Sequence, residues 1–292
     1  MPYLNIDGAD LYHEVVGSGE PVLLLHGGFC SLESLRHQSD ALADHHTVYA
    51  FERPGHGRSA DIAGEYGYAL GVAETVAYLR AVGLQSAHII GYSDGAIIGL
   101  LLAIQHPHLV RSLVAISANL DPSAFTGSTQ GAPALVLDRV TPGADVVEPS
   151  AERRFYDSLS PDGPDHAQVV LDKLFRLWTA EPSIDRAELA HIGVPTLVMS
   201  ADRDTIRPDH SLLIAASIPG AQLCIVPGAS HNLVGERPEL IASVIGDFLM
   251  RLRPKQAGAV SGPPAEVRSG RGEAGERVVD RGVGQTEPGL EE

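Results

Sequence analysis

Ser93 sits at the centre of Gly91-Tyr92-Ser93-Asp94-Gly95. Far along the chain stand Asp202 and Asp204, in Met199-Ser200-Ala201-Asp202-Arg203-Asp204, and His231, in Gly228-Ala229-Ser230-His231. A serine hydroxyl becomes a nucleophile when a base takes its proton, and an imidazole serves best when a carboxylate orients it. Serine, acid and histidine in that order therefore point to attack on a carbonyl carbon. A G-x-S-x-G match is cheap in a chain with 31 glycines. Its setting is not: Ser86-Ala87-His88-Ile89-Ile90 reads as a buried strand before it, and the apolar run Ala96 to Ile104 as a helix after it. Strand, sharp turn and helix can hold a serine in a strained, exposed position, with small residues at 91 and 95 avoiding collision.

Attack on a carbonyl also needs donors for the oxygen that turns negative. The strand Val22–Leu25 runs into His26-Gly27-Gly28-Phe29, where glycines let backbone N–H groups approach a reacting group. The N–H groups of Gly28 and Asp94 are the candidate pair, with Phe29 as the alternative to Gly28. Loss of one such donor costs on the order of 3 kcal/mol in transition-state stabilisation.

Elements to position these residues are legible around them. Pro21–Leu25, Thr47–Phe51, His88–Ile90, Leu113–Ile116 and Thr196–Met199 are short apolar runs of the kind buried on both faces of a parallel sheet. Leu4–Ile6 and Ala9–Val16, joined by Asp7-Gly8, predict an antiparallel hairpin at the sheet edge. Helices are predicted over Leu35–Ala43, Ala69–Val82, Asp94–His106, Asp209–Ile218 and Pro238–Leu252. Alternating strands and helices with short connections imply a doubly wound α/β sheet. The acid and the histidine then follow the carboxyl ends of strands, where open α/β sheets bind ligands.

Two segments break the rhythm. Residues 121–190 are too long for one crossover helix and carry helical patterns at Ala151–Ser158, His166–Thr179 and Ile184–Ala190, which predicts an inserted helical lid. The core domain is then 1–120 with 191–253. Residues 254–292 are rich in Gly, Pro, Glu and Arg and poor in large apolar residues, which predicts a disordered tail.

Composition limits the partners. A net charge of −16 over 292 residues opposes binding to nucleic acid or to an anionic membrane. The longest uncharged apolar stretch, Gly95 to Ile104, is too short to span a bilayer. Cys30 and Cys224 make no disulfide framework, and the first residues carry no secretory pattern, so a reduced, cytoplasmic setting is expected. No His/Cys/Asp set has metal-ligand spacing, and no cofactor is expected. His88, inside a predicted strand, reads as a core residue, and Cys30, with no base near it in sequence, as a packed, unreactive thiol.

Taken together, His26-Gly27-Gly28, Arg53-Pro54-Gly55-His56-Gly57-Arg58-Ser59, the turn at Ser93, Asp202-Arg203-Asp204 and Gly228-Ala229-Ser230-His231-Asn232 make the chain resemble the α/β-hydrolase superfamily over about residues 3–252. The resemblance implies a mostly parallel eight-stranded sheet and a Ser93–His231–Asp204 triad. It places the acid on the last aspartate of its loop, Asp204, with Asp202 and Asp121 as alternatives. It also implies that His26 and His56 hold their glycine loops. Asp94 has two readings: a carboxylate favoured at an exposed helix start, or a pocket group that selects cationic or amino-bearing substrates. Phe125, Phe155, Tyr156, Phe175, Leu177 and Trp178 offer apolar lid surface, none assigned individually to substrate. The function implied is cleavage of a small-molecule acyl substrate (ester, thioester or lactone) through an acyl-enzyme. The same triad could serve a carbon–carbon bond hydrolase of ring-fission diketones or a cofactor-free perhydrolase, and a non-catalytic ligand-binding homologue is the rival from another class.

Overall fold

The computed structural model describes residues 2–125 and 150–252. The apolar runs become strands β1 (Tyr3–Ile6), β2 (Ala9–Gly17), β3 (Glu20–Leu25), β4 (His46–Phe51), β5 (Ala87–Tyr92), β6 (Val110–Ile116), β7 (Thr196–Arg203) and β8 (Gln222–Ser230). They form one eight-stranded sheet in the order β1-β2-β4-β3-β5-β6-β7-β8. β1 and β2 pair antiparallel, as do β2 and β4, and every pairing from β4 to β8 is parallel. The β1–β2 hairpin turns through Asp7 and Gly8, both at positive φ (49° and 96°), the backbone hand that suits a two-residue hairpin.

Successive strand residues enter opposite cores. Leu23, Leu25, Ile89, Leu113 and Ala115 pack on one face, and Val22, Leu24, Ile90, Val114 and Ile116 on the other. Both sets are buried because helices cover both faces. The helices are α1 (Arg36–Ala43), α2 (Tyr68–Ala81), α3 (Asp94–Gln105), α4 (Ala151–Leu159), α5 (Ala167–Ala180), α6 (Pro208–Ser217), α7 (Leu233–Glu236) and α8 (Pro238–Leu252). α2, α3, α5 and α6 contribute to the first core, through Tyr78, Ile97, Leu174 and Ile214 among others, and α1 and α8 to the second, through Leu42, Ile245 and Phe248. α3 is apolar nearly all round and buried accordingly.

α4 and α5 lie between β6 and β7 in sequence. α5 buries Ala167, Val170, Leu171, Leu174, Leu177 and Trp178, spaced by threes and fours, as one stripe. Lys173, at the edge of that stripe, donates to Asp61 Oδ2 (2.7 Å) and to the Ile62 carbonyl (2.5 Å), which ties α5 to the loop after β4. The helix expected over Ile184–Ala190 is instead a short 3-10 turn, Arg186–His191, begun by the Asp185 carboxylate on the Ala187 N–H. Leu189 is its single buried residue, too little apolar surface to hold an α-helix. The predicted tail, and the stretch 126–149 of the predicted insertion, fall outside the described residues. Among the described residues no helix is long and apolar enough to cross a membrane.

Candidate active site

β5 ends at Tyr92, and the chain turns into α3 through Ser93, whose φ of 53° lies in the left-handed region. Two neighbours make this turn possible. A side chain on Gly91 would run into the Gly95 carbonyl, and one on Gly95 into the carbonyls of Leu25 and His26. The turn is fixed from beneath by the Ser93 N–H, which donates to the Ile116 carbonyl at 2.8 Å. The outcome is a serine raised above the carboxyl edge of the sheet, half-buried between β3 and β6.

The remaining candidates meet it there. Ser93 Oγ is 3.1 Å from His231 Nε2, and His231 Nδ1 is 2.6 Å from Asp204 Oδ1. An ionised carboxylate only accepts, so Nδ1 carries the hydrogen and Nε2 presents its lone pair to the serine hydroxyl. Burial pulls the His231 imidazole down, but the charge and hydrogen bond of Asp204 more than offset this, and its pKa stands above 6.5. For Asp204 burial pushes up, while His231, Ser117 and the Ile206 N–H push down further, and the carboxyl lies below its usual range.

The alternative acids do other work. Asp202 accepts from the Gly228 N–H at 2.7 Å, joining the ends of β7 and β8 where Gly228 sits at φ 68°. Asp121 caps a short turn by accepting from the Ser123 N–H at 2.8 Å. Neither has a hydrogen bond or ion pair to His231 among the described residues.

Two supports of this trio escaped the sequence reading. Ser117, just past β6 at φ 56°, donates its hydroxyl to Asp204 Oδ2 at 2.6 Å. Tyr92 donates to the His231 carbonyl at 3.0 Å and lays its ring 5.5 Å from the imidazole. Tyr92 had a signal, as the residue before the serine. Ser117 had none: it reaches the acid through the register that sets Ile116 beside Met199 on β7, the strand that leads into Asp204. Ser117→Ala leaves a buried carboxylate short of a donor and should lower unfolding free energy by about 2 kcal/mol, read from a denaturant melt.

The loop after β3 lies on the other side of the serine. His26 donates from Nδ1 to the Gly27 carbonyl (2.7 Å) and accepts the Arg53 N–H at Nε2 (3.0 Å), so both nitrogens are engaged and the ring is neutral. His56 donates to the Pro54 carbonyl, and burial first, then Arg53, pulls its pKa down to about 3. His88 bonds Ser112 at 2.8 Å within the sheet. These three histidines are held by the fold, and none of them has a hydrogen bond to Ser93 among the described residues. Arg53 is itself buried and donates to the carbonyls of His26 and Gly27, at 3.3 and 3.2 Å. Cys30 is buried, and burial pushes its thiol far up.

Asp94 is not the exposed helix-start carboxylate of the first reading: it is 2% accessible. Its Oδ1 accepts from Tyr68 (2.9 Å, from α2) and Trp178 (2.9 Å, from α5), and its Oδ2 lies 3.8 Å from Arg53. The Asp94 N–H, at the first position of α3, and those of Gly28 and Phe29 take no partner among the described residues. Of the apolar insertion residues, Phe155 is exposed, Phe175 half-buried, and Tyr156, Leu177 and Trp178 are buried; Phe125 is buried beside Ile206. Tyr156 stacks on Phe29 with centroids 5.1 Å apart. Among the described residues no group of three or more His, Cys, Asp or Glu could hold a metal ion.

A family model described as the alpha/beta hydrolase family matches residues 22–244, a stretch that holds all of these groups. The chain belongs to the alpha/beta hydrolase family. A provisionally named carbamate hydrolase, RutD of Azorhizobium caulinodans, is 30% identical over 259 residues, which are 85% of this chain and 98% of that one. Among solved structures, the enol-lactonase of Burkholderia xenovorans superposes with a TM-score of 0.65 at 22% identity, covering 85% of this hydrolase and 100% of that chain. The meta-cleavage product hydrolase CumD of Pseudomonas fluorescens also gives 0.65, at 19% identity, covering 85% and 97%. At those identities the two structures speak for the fold.

Proposed function

We propose that this member of the family is a serine hydrolase that cleaves a small carboxylic ester, thioester or lactone through an acyl-enzyme. The observation that carries the reading is the continuous hydrogen-bonded line from Ser93 Oγ through His231 to Asp204. His231 Nε2 takes the serine proton as Oγ attacks the carbonyl carbon, and the carbonyl electrons move onto oxygen. Asp204 stabilises the imidazolium and keeps Nδ1 protonated. The negative oxygen is received by the N–H groups of Asp94 and Gly28, with Phe29 as the alternative to Gly28, and those donors are supported by having no other partner. The imidazolium then protonates the leaving group, and a water deprotonated by His231 releases the acid. No step calls for a cofactor. We assign α4 and α5 to a lid whose apolar residues limit the acyl and leaving groups.

A carbamate carbonyl can be attacked by the same groups, and the name of the RutD relative brings carbamates into the range to be tested. A panel of p-nitrophenyl esters of rising chain length, a thioester, a lactone, a carbamate and a ring-fission diketone tests the assignment. The expected result is turnover of short-chain esters or of the lactone with kcat/KM at least about 100-fold above the diketone's, roughly the discrimination a shaped pocket gives. Preferential cleavage of the diketone would assign carbon–carbon hydrolysis instead.

A further inference from the structure

The two proposed oxyanion donors come from different parts of the fold. Gly28 follows β3, and Asp94 opens α3 after β5. Catalysis needs their spacing held to a fraction of an ångström, since a misplacement of about 1 Å can cost 100-fold.

One side chain touches both. Trp178 Nε1 donates to Asp94 Oδ1 at 2.9 Å, and a Cβ on Gly28 would stand 2.5 Å from Trp178 Cζ2 and 2.6 Å from Asp94 Oδ2. The indole therefore lies against the Cα of one donor residue while it grips the side chain of the other. It is itself wedged in place, 5% exposed, with the ring of Phe175 edge-on to it at 5.5 Å.

The carboxylate has somewhere else to go. Asp94 Oδ2 has no hydrogen-bond partner, and the Arg53 guanidinium is 3.8 Å from it, just beyond bonding distance. Tyr68 is the second donor to Oδ1 and cannot hold both oxygens. Without the indole N–H, the buried charge gains by turning toward Arg53. That turn pulls on the first residue of α3 and on the carbonyls of His26 and Gly27, which Arg53 already holds.

We propose that Trp178 is a positioning residue for the oxyanion site: it abuts Gly28 and holds the Asp94 carboxylate that lies beside it, and so sets the spacing of the two N–H groups. The inference rests on the serine-hydrolase reading above. It makes α5 part of the catalytic geometry as well as a wall of the substrate site.

Trp178 is the single tryptophan of the chain, which permits a clean test. Growth of a tryptophan auxotroph on 3-benzothienylalanine replaces it with a side chain of nearly the same shape that has no N–H. Steady-state kinetics on the best ester, inhibition by a trifluoromethyl ketone and the thermal midpoint are then compared with the natural protein. Trp178→Phe is the second variant, in case the analogue incorporates poorly.

The expected result is a kcat lower by about 10- to 100-fold with KM changed less than about threefold, the pattern of an interaction felt in the transition state. Affinity for the ketone, whose serine adduct places an oxyanion at the same donors, should fall in parallel. A folded variant with unchanged kcat and unchanged ketone affinity overturns the proposal. So does a change confined to KM, which would make Trp178 a substrate wall only. Labelling of the natural protein by a fluorophosphonate separates the two levels: failure to label sinks the serine-hydrolase reading and this inference with it. Normal labelling with unchanged turnover in the variant sinks this inference alone.

Discussion

Ser93→Ala is expected to lower kcat by roughly 10^6-fold, and His231→Ala by a similar factor, with the double variant scarcely worse than either. The non-additivity follows from the geometry. Ser93 Oγ sits 3.1 Å from the nitrogen proposed to take its proton, and on that reading neither group acts without the other. The serine variant should fold normally. Alanine at φ 53° bears the same backbone strain as serine, and Gly91 and Gly95, which clear the space around the turn, are untouched. An unchanged denaturation midpoint with near-unchanged substrate binding would assign the loss to chemistry. A loss of only tenfold would show that another group carries the reaction.

Asp204→Asn carries the second large effect, a drop in kcat of about 10^3- to 10^4-fold. An amide can still meet Nδ1, but it can do so through its NH2 group, which puts the hydrogen on Nε2 and removes the lone pair Ser93 needs. The change should also appear in the pH profile. In the natural protein the raised His231 pKa means the imidazole keeps its proton to a higher pH than free histidine. Only the neutral ring is a base, so kcat/KM should fall as pH drops through a value above 6.5. With the Asp204 charge gone, the main influence raising that pKa is lost and burial dominates, so the residual activity should lose its acid limb toward lower pH. An acid limb unmoved by the substitution would mean that Asp204 does not set the protonation of His231.

Much of this arrangement is legible in the sequence. Strand identity came through because residues buried on both faces leave runs such as Val22–Leu25 with no polar position, and Asp7-Gly8 announced its hairpin by backbone chemistry. That Asp204 and His231 both follow strand ends was readable too, while the choice of Asp204 over Asp202 and Asp121 came from the family resemblance and the adjacency of the two strands from the structure. Charge environments were not. Asp94 stayed divided between an exposed helix start and a pocket group because its three buried neighbours, Arg53, Tyr68 and Trp178, lie 26 to 84 residues away. Ser117 was silent for a related reason: its value depends on which strand lies beside β6, and one serine among many carries no spacing signal. The short turn at Arg186–His191 shows the converse, a helical pattern that failed because tertiary structure buries only one of its side chains.

The most direct test of the central claim is to treat the full chain with a fluorophosphonate, digest it and locate the adduct by mass spectrometry. Stoichiometric labelling on the peptide carrying Ser93, abolished in Ser93→Ala and strongly slowed in His231→Ala, is the predicted result. A folded protein that takes no label, or takes it on a different residue, would contradict the assignment of Ser93 as the nucleophile.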